Sequence, residues 1–237
     1  MPIKGERIED EGVIEPKVDH KLSVPSQHLA VWFDDFMADA IDTTYWTSGG
    51  TAGSFATPST NTIGGVLEGD TTAGASSTAT LTFDEGVFDT TYPFGMEFRL
   101  KTSNITNTLI TAGFRQDAND YAWFEFDTAD SAANIYCAIQ NAGGGNVSAD
   151  SGSDLVADTY NIFRIEVQLD RTVKFYINDN LVEHSAGWPS TTTVATSTTF
   201  VPYFYVDNKA EAEQKLLDID YVKVWQLRDK NSYSYDL

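Results

Sequence analysis

An all-β fold, with two antiparallel sheets packed face to face, is predicted by three observations on this 237-residue chain. Strictly alternating apolar residues recur in segments of roughly five to eight residues, the period expected when one face of a strand is buried. Clusters of Gly, Asn, Asp and Ser separate those segments. No stretch offers the crossover helices that a parallel sheet requires. A hydrophobic content of 41%, with 13% aromatic residues, is ample for a core in a single unit.

Taken in order, residues 1–29 are charged, contain Pro2, Pro16 and Pro25, and as a whole show neither helical nor strand periodicity. They are read as an extended N-terminal arm that cannot bury enough apolar surface to fold alone, and so is expected to be pinned by a neighbouring subunit. A β domain is predicted over residues 30–228. The Ser/Thr/Gly-rich segment from Thr47 to Ser77 reads as short edge strands and loops, because "TIGGVLEG" and "TATLTF" keep strand character. "FGMEFRL" places Phe94, Met96, Phe98 and Leu100 on one face and Glu97 and Arg99 on the other. "WFEFDTAD" buries Phe124 and Phe126 and turns Tyr121, Trp123, Glu125 and Asp127 outward. "ANIYCAIQ" holds Cys137 as a small buried hydrophobe. "NAGGGN" and "SADSGSD" read as loops. "FRIEVQL" points Phe163, Ile165, Val167 and Leu169 inward, and "VKFYI" does so with Val173, Phe175 and Ile177. In "YINDNLVEH", Asn178 and Asp179 tolerate the positive φ of a tight hairpin turn. "KAEAEQKLL" predicts one short helix, and residues 229–237 form a short polar tail. The count comes to about a dozen strands, which suits a sandwich or jelly roll.

The charge balance excludes several functions. With 35 acidic against 15 basic residues, the formal net charge is -20. Such a surface repels phosphate backbones and anionic membranes, so neither nucleic acid nor membrane is expected as a partner. No apolar run approaches the roughly 18 residues of a membrane span. The N-terminus lacks an apolar h-region, so the expectation is a protein without a signal peptide, made and assembled in a cytoplasm. The single cysteine forms no intrachain disulfide and no Cys-based zinc site. His20, His28 and His184 are scattered and suggest no catalytic or metal set.

Three segments carry a family resemblance. "FDDFMADAIDTTYW" resembles the opening strand of concanavalin A-like lectin/glucanase domains, a Phe-Asp-rich start with a Trp about ten residues on. "FRIEVQLDRTVKFYINDNLVEH" resembles their central hairpin, and "LLDIDYVKVWQ" their closing strand, which returns beside the first. The resemblance implies a concanavalin A-like jelly roll, a fold shared by lectins, glucanases, adhesion domains and phage virion proteins.

Glucanases of this superfamily carry a Glu-x-Asp-x-Glu or Glu-x-Asp-x-x-Glu strand motif, which supplies nucleophile and acid/base. Here Glu125 and Asp127 match, but the third position is Asp130, a shorter acid in what reads as a turn, so catalysis is not expected. Tyr121, Trp123, Glu125 and Asp127 are instead read as a contact face for a glycan or a protein partner. Asp117, Asn119 and Asp120 in "RQDANDYAW" are read as a candidate calcium loop, since oxygen ligands at close spacing suit Ca²⁺. The leading expectation is a non-enzymatic virion structural protein of a tailed phage, most like the capsid decoration and head-fibre members. It would sit on the virion surface and bind capsid protein or copies of itself through residues 1–29. The alternative is a carbohydrate-binding module for host glycans, and the remote alternative a β-glucanase.

Overall fold

The computed structural model describes residues 29–38, 40–57, 65–84, 88–128, 134–141, 145–182, 193–196, 199–209 and 211–227. Residues 1–28 of the expected arm, the expected C-terminal tail and Asp130 lie outside them, while Leu29 begins the first strand. The described residues form sixteen strands and no helix. One sheet contains β1 (Leu29–Asp34), β3 (Ser54–Ala56), β4 (Leu67–Asp70), β7 (Phe94–Thr102), β12 (Asn161–Val167), β13 (Val173–Ile177), β14 (Asn180–Leu181) and β16 (Leu216–Leu227). Its order is β14-β13-β12-β7-β16-β4-β3, and β1 pairs with the far half of β16, in line with β4. The other sheet contains β2 (Trp46–Gly49), β5 (Thr78–Phe83), β6 (Phe88–Asp89), β8 (Leu109–Asp117), β9 (Asp120–Asp127), β10 (Asn134–Asn141), β11 (Gly145–Asp154) and β15 (Thr199–Asp207). Its order is β11-β10-β9-β8-β15-β5-β2, with β6 on β15.

The core sits between the sheets and follows the alternation of the strands. Phe94, Met96, Phe98 and Leu100 of β7 are buried, as are Phe163, Ile165 and Val167 of β12 and Val173, Phe175 and Ile177 of β13. Phe98 stacks on Phe163 at 5.5 Å between ring centroids and meets Phe204 of the opposite sheet edge-on at 5.2 Å. Asp34 ties the opening strand to the second sheet. Its carboxylate accepts from the Trp46 indole N–H at 3.0 Å and from the Phe36 amide at 2.9 Å, with Trp46 fully buried. As the closing-strand pattern implies, β16 lies beside β1. The hairpin turn holds Asn178 and Asp179 at φ 50° and 64°.

Three local expectations are overturned. "KAEAEQKLL" forms no helix among its described residues, and its final leucines open β16. Nine residues make a marginal helix on their own, and tertiary bonds win. The Lys215 amide donates to Thr71 Oγ1 at 2.9 Å, and the Thr71 amide donates to the Lys215 carbonyl at 3.1 Å. The Lys215 side chain is buried with Nζ 2.6 Å from Glu213 Oε2, and Asn208 donates to the Gly74 carbonyl at 2.5 Å. "SADSGSD" is not a loop but most of β11, paired to β10 with a register shift where Gly152 takes φ 73°. Leu169 is exposed, because β12 ends at Val167 and the chain turns through Gln168–Thr172.

On the outer face of the first sheet, Glu68, Asp218 and Lys101 form one cross-strand row. Burial first, then the carboxylates of Asp218 and Asp70, raises the Glu68 carboxyl above its ordinary range. A raised carboxyl favours the folded state when protonated, and that advantage is lost as pH rises through its folded value. Glu68→Gln is therefore expected to raise the melting temperature at pH 7 and to lose that gain near pH 4, measured by thermal denaturation across pH.

Candidate functional site

The site is built on β9, whose alternation sends Ala122, Phe124 and Phe126 into the core and Tyr121, Trp123, Glu125 and Asp127 to the outer face. Register places partners beside each outer residue. Arg115, Gly113, Thr111 and Leu109 of β8 lie opposite Tyr121, Trp123, Glu125 and Asp127. One strand further, Tyr203, Tyr205 and Asp207 of β15 lie opposite Gly113, Thr111 and Leu109. On the other side, Ala138 and Tyr136 of β10 lie opposite Trp123 and Glu125. The row through Trp123 thus reads Ala138, Trp123, Gly113, Tyr203 and Thr82, large rings alternating with small residues.

The rings are layered. Tyr121 and Trp123 are parallel within 2°, with centroids 3.6 Å apart. Tyr121 is only 5% exposed while Trp123 is half-buried, so the indole helps to cover the phenol and stays in part accessible. The Trp123 indole N–H donates to Glu125 Oε2 at 3.2 Å, which fixes the rotation of the ring. Gly113 leaves room for this packing, since a Cβ there would fall 2.7 Å from the Trp123 Cβ and 2.4 Å from the Ala122 carbonyl oxygen. Beyond Gly113, Tyr203 is 8% exposed, lies 6.4 Å from Trp123 at 29°, and carries the Arg115 guanidinium 4.6 Å over its ring. Tyr205 follows, 6.4 Å from Tyr203, and donates to Asp207 Oδ2 at 3.0 Å.

Burial raises the phenol pKa of Tyr121, Tyr203 and Tyr205 above the ordinary value. Glu125 adds to the effect at Tyr121 and Asp207 at Tyr205, whereas Arg115 opposes it at Tyr203. The three hydroxyls therefore stay protonated at neutral pH. Asp127 forms an ion pair with Lys209 at 2.5 Å. The face thus joins a half-buried, ring-supported indole to carboxylates and neutral hydroxyls, an arrangement suited to a ligand with apolar CH faces and many hydroxyl groups.

Of the sequence-predicted contact residues, Trp123, Glu125 and Asp127 share this face, and Tyr121 lies beneath Trp123 as backing. Arg115, Tyr203, Tyr205, Asp207 and Lys209 complete it and went unread in the sequence. The alternation of Val201, Tyr203, Tyr205 and Asp207 against Phe200, Pro202, Phe204 and Val206 in "FVPYFYVD" was the available signal. The Asp117, Asn119 and Asp120 segment is a two-residue hairpin turn between β8 and β9. Asp117 accepts from the Asn119 amide at 2.7 Å and pairs in register with Asp120, which is buried. Among the described residues no group of three His, Cys, Asp or Glu is placed to hold a metal ion. The bond from the Asn119 amide to Asp117 is ordinary turn chemistry, which this spacing also serves.

No family model and no curated protein sequence matches this chain. Solved structures do. A protein of unknown function from Shewanella oneidensis MR-1 is 15% identical, with 95% of this chain and 99% of that one covered at a TM-score of 0.62. The carbohydrate recognition domain of Emp47p is 13% identical, covering 85% and 98% at 0.58. An endo-beta-1,3-glucanase from Pyrococcus furiosus is 12% identical, covering 83% and 93% at 0.57. The fold is therefore the jelly roll of concanavalin A-like lectins and glucanases. Identities this low establish the fold and leave the activity to the site.

A side chain at position 113 has nowhere to go between β8 and β9. Gly113→Val is expected to destabilise the domain by about 2 kcal/mol, or roughly 5 °C in melting temperature, measured by urea and thermal unfolding.

Proposed function

We propose that this chain is a non-catalytic carbohydrate-binding domain, with its ligand lying across the strands over Trp123, Gly113 and Tyr203. The observation that carries this reading is the layered ring pair, in which a buried Tyr121 supports the partly accessible Trp123 indole. A supported ring loses little side-chain freedom when a pyranose stacks on it. Glu125, Asp207 and the phenols around it supply acceptors and donors for sugar hydroxyls. Similarity to a carbohydrate recognition domain supports the reading.

The two carboxylates of the glucanase-like motif serve structural bonds in this arrangement. Asp127 is paired with Lys209, and Glu125 orients the indole. A retaining glycosidase needs one carboxylate to attack and the other to shuttle a proton. The carbohydrate reading takes precedence over a tailed-phage capsid role, because similarity to a carbohydrate recognition domain supports it and nothing comparable supports a capsid role. Carried on a virion, the same face would serve adhesion to host glycans, which joins the two expectations.

Glycan-array binding followed by calorimetry tests the proposal. Trp123→Ala is expected to weaken the best glycan by about 30-fold, equivalent to ~2 kcal/mol. Tyr121→Phe, which keeps the supporting ring, should leave affinity within about twofold. A wild-type chain that binds no glycan, or binding indifferent to Trp123→Ala, would overturn it.

A further inference from the structure

The basic residues of the chain are unevenly placed. Arg99, Lys101, Arg164, Lys174 and Lys223 stand together on the outer face of the first sheet, five of the 15 in the chain. Six of its 35 acidic residues share that face: Glu68, Asp70, Glu97, Glu166, Asp218 and Asp220. Five against six leaves the face at -1, whereas the whole chain carries -20. Two copies of so acidic a chain repel each other, and this face carries almost none of the charge that drives them apart.

At the β1 side of the face lies an apolar corner. Val31 and Phe33, 51% and 54% exposed, stand two apart on β1, beside Trp225 and Lys223 of β16. By contrast, the exposed Val156 and Leu169 lie outside the strands, and Leu181 stands on β14 at the opposite edge of the sheet. The floor of the corner is fixed. The Trp225 indole lies against Gly95, where a Cβ would fall 2.4 Å from its Cζ2 atom. Phe33 lies 5.9 Å from Tyr221, whose hydroxyl donates to Glu97 Oε1 at 3.0 Å. Rings already held in place lose little freedom when a partner covers them, and aromatic groups bordered by paired charges are the composition of a protein interface.

We propose that this corner is a self-association surface, on which a second copy of the chain packs its own corner across a twofold axis. Charge selects the occupant. A basic partner is drawn to the acidic remainder of the chain, whereas a copy at -20 is tolerated only where the charges are already balanced. A twofold contact is isologous, so Val31 and Phe33 meet their counterparts and the assembly closes at two chains. The second sheet, which carries Trp123, stays uncovered on both copies.

Analytical ultracentrifugation of the full chain tests this. The wild type is expected to dimerise several-fold more tightly as ionic strength rises from about 0.01 to about 0.15 M, because salt screens the repulsion between copies. Phe33→Gln, which leaves the charge unchanged, is expected to weaken the dimer by about 30-fold. Leu181→Gln, on the same face at the far edge, is expected to leave it within about twofold. Since Phe33 is 54% exposed, its replacement is expected to keep the melting temperature within about 2 °C, which separates lost association from lost folding. A wild type that stays monomeric at every ionic strength, a dimer that salt dissociates, or one that Phe33→Gln leaves intact would overturn the proposal. Equal weakening by Leu181→Gln would overturn it as well.

Discussion

Between the two sheets, Phe98 reaches Phe163 at 5.5 Å, Phe204 at 5.2 Å and Phe124 at 6.3 Å, and Phe124 closes on Phe163 at 4.9 Å. These four rings belong to β7, β12, β15 and β9, so they lock strands of both sheets to one another. A one-residue slip of β9 would send Phe124 and Phe126 to solvent and bring Trp123 and Glu125 into the core. The register that satisfies the core is therefore the register that sets Trp123 between Ala138 and Gly113 and puts Tyr203 one strand further on. The candidate site inherits its geometry from the opposite face of the same strands.

That dependence explains what could be read without the structure. Alternation is local, so the inward Phe124 and Phe126 announced the outward Trp123, Glu125 and Asp127. Which strand lies beside β9 is decided by pairing between distant segments, and no local pattern brings Tyr203, Tyr205 or Lys209 to Trp123. The same limit explains the absent helix. Local propensity in "KAEAEQKLL" is outweighed by bonds from Lys215 to Thr71, far away in the chain. Leu169 fits the alternation of its segment but lies two residues past the last ladder pair, where the period ceases to hold.

Charge acts differently at the site than over the chain. A net charge of -20 would draw cationic partners to any open surface, yet the cations of this face are engaged. Arg115 lies over Tyr203, and Lys209 holds Asp127. The phenols are neutral, as any phenol is at neutral pH, and burial raises their pKa values further. What the face offers is ring surface and hydroxyl-matching groups rather than net attraction. Under the proposed reading, recognition there would rest on shape and hydrogen bonding and depend little on ionic strength.

The two outer faces consequently divide the work of the sandwich. The first sheet spends its outer polar residues on one another, with Arg99 bonded to Asp220 at 2.6 Å, Lys101 to Asp218 at 3.2 Å and Arg164 set between Glu97 and Glu166. Such cross-strand ladders fix a surface and leave few groups for a ligand. The second sheet gathers Trp123, Tyr203 and Tyr205 around a glycine, where a ladder of charges would have left no flat apolar plane. Rings stand on the first face as well, but there Arg164 and Lys223 lie over Tyr176 and Trp225 within the ladder, so the proposed ligand surface falls to the face that carries Trp123.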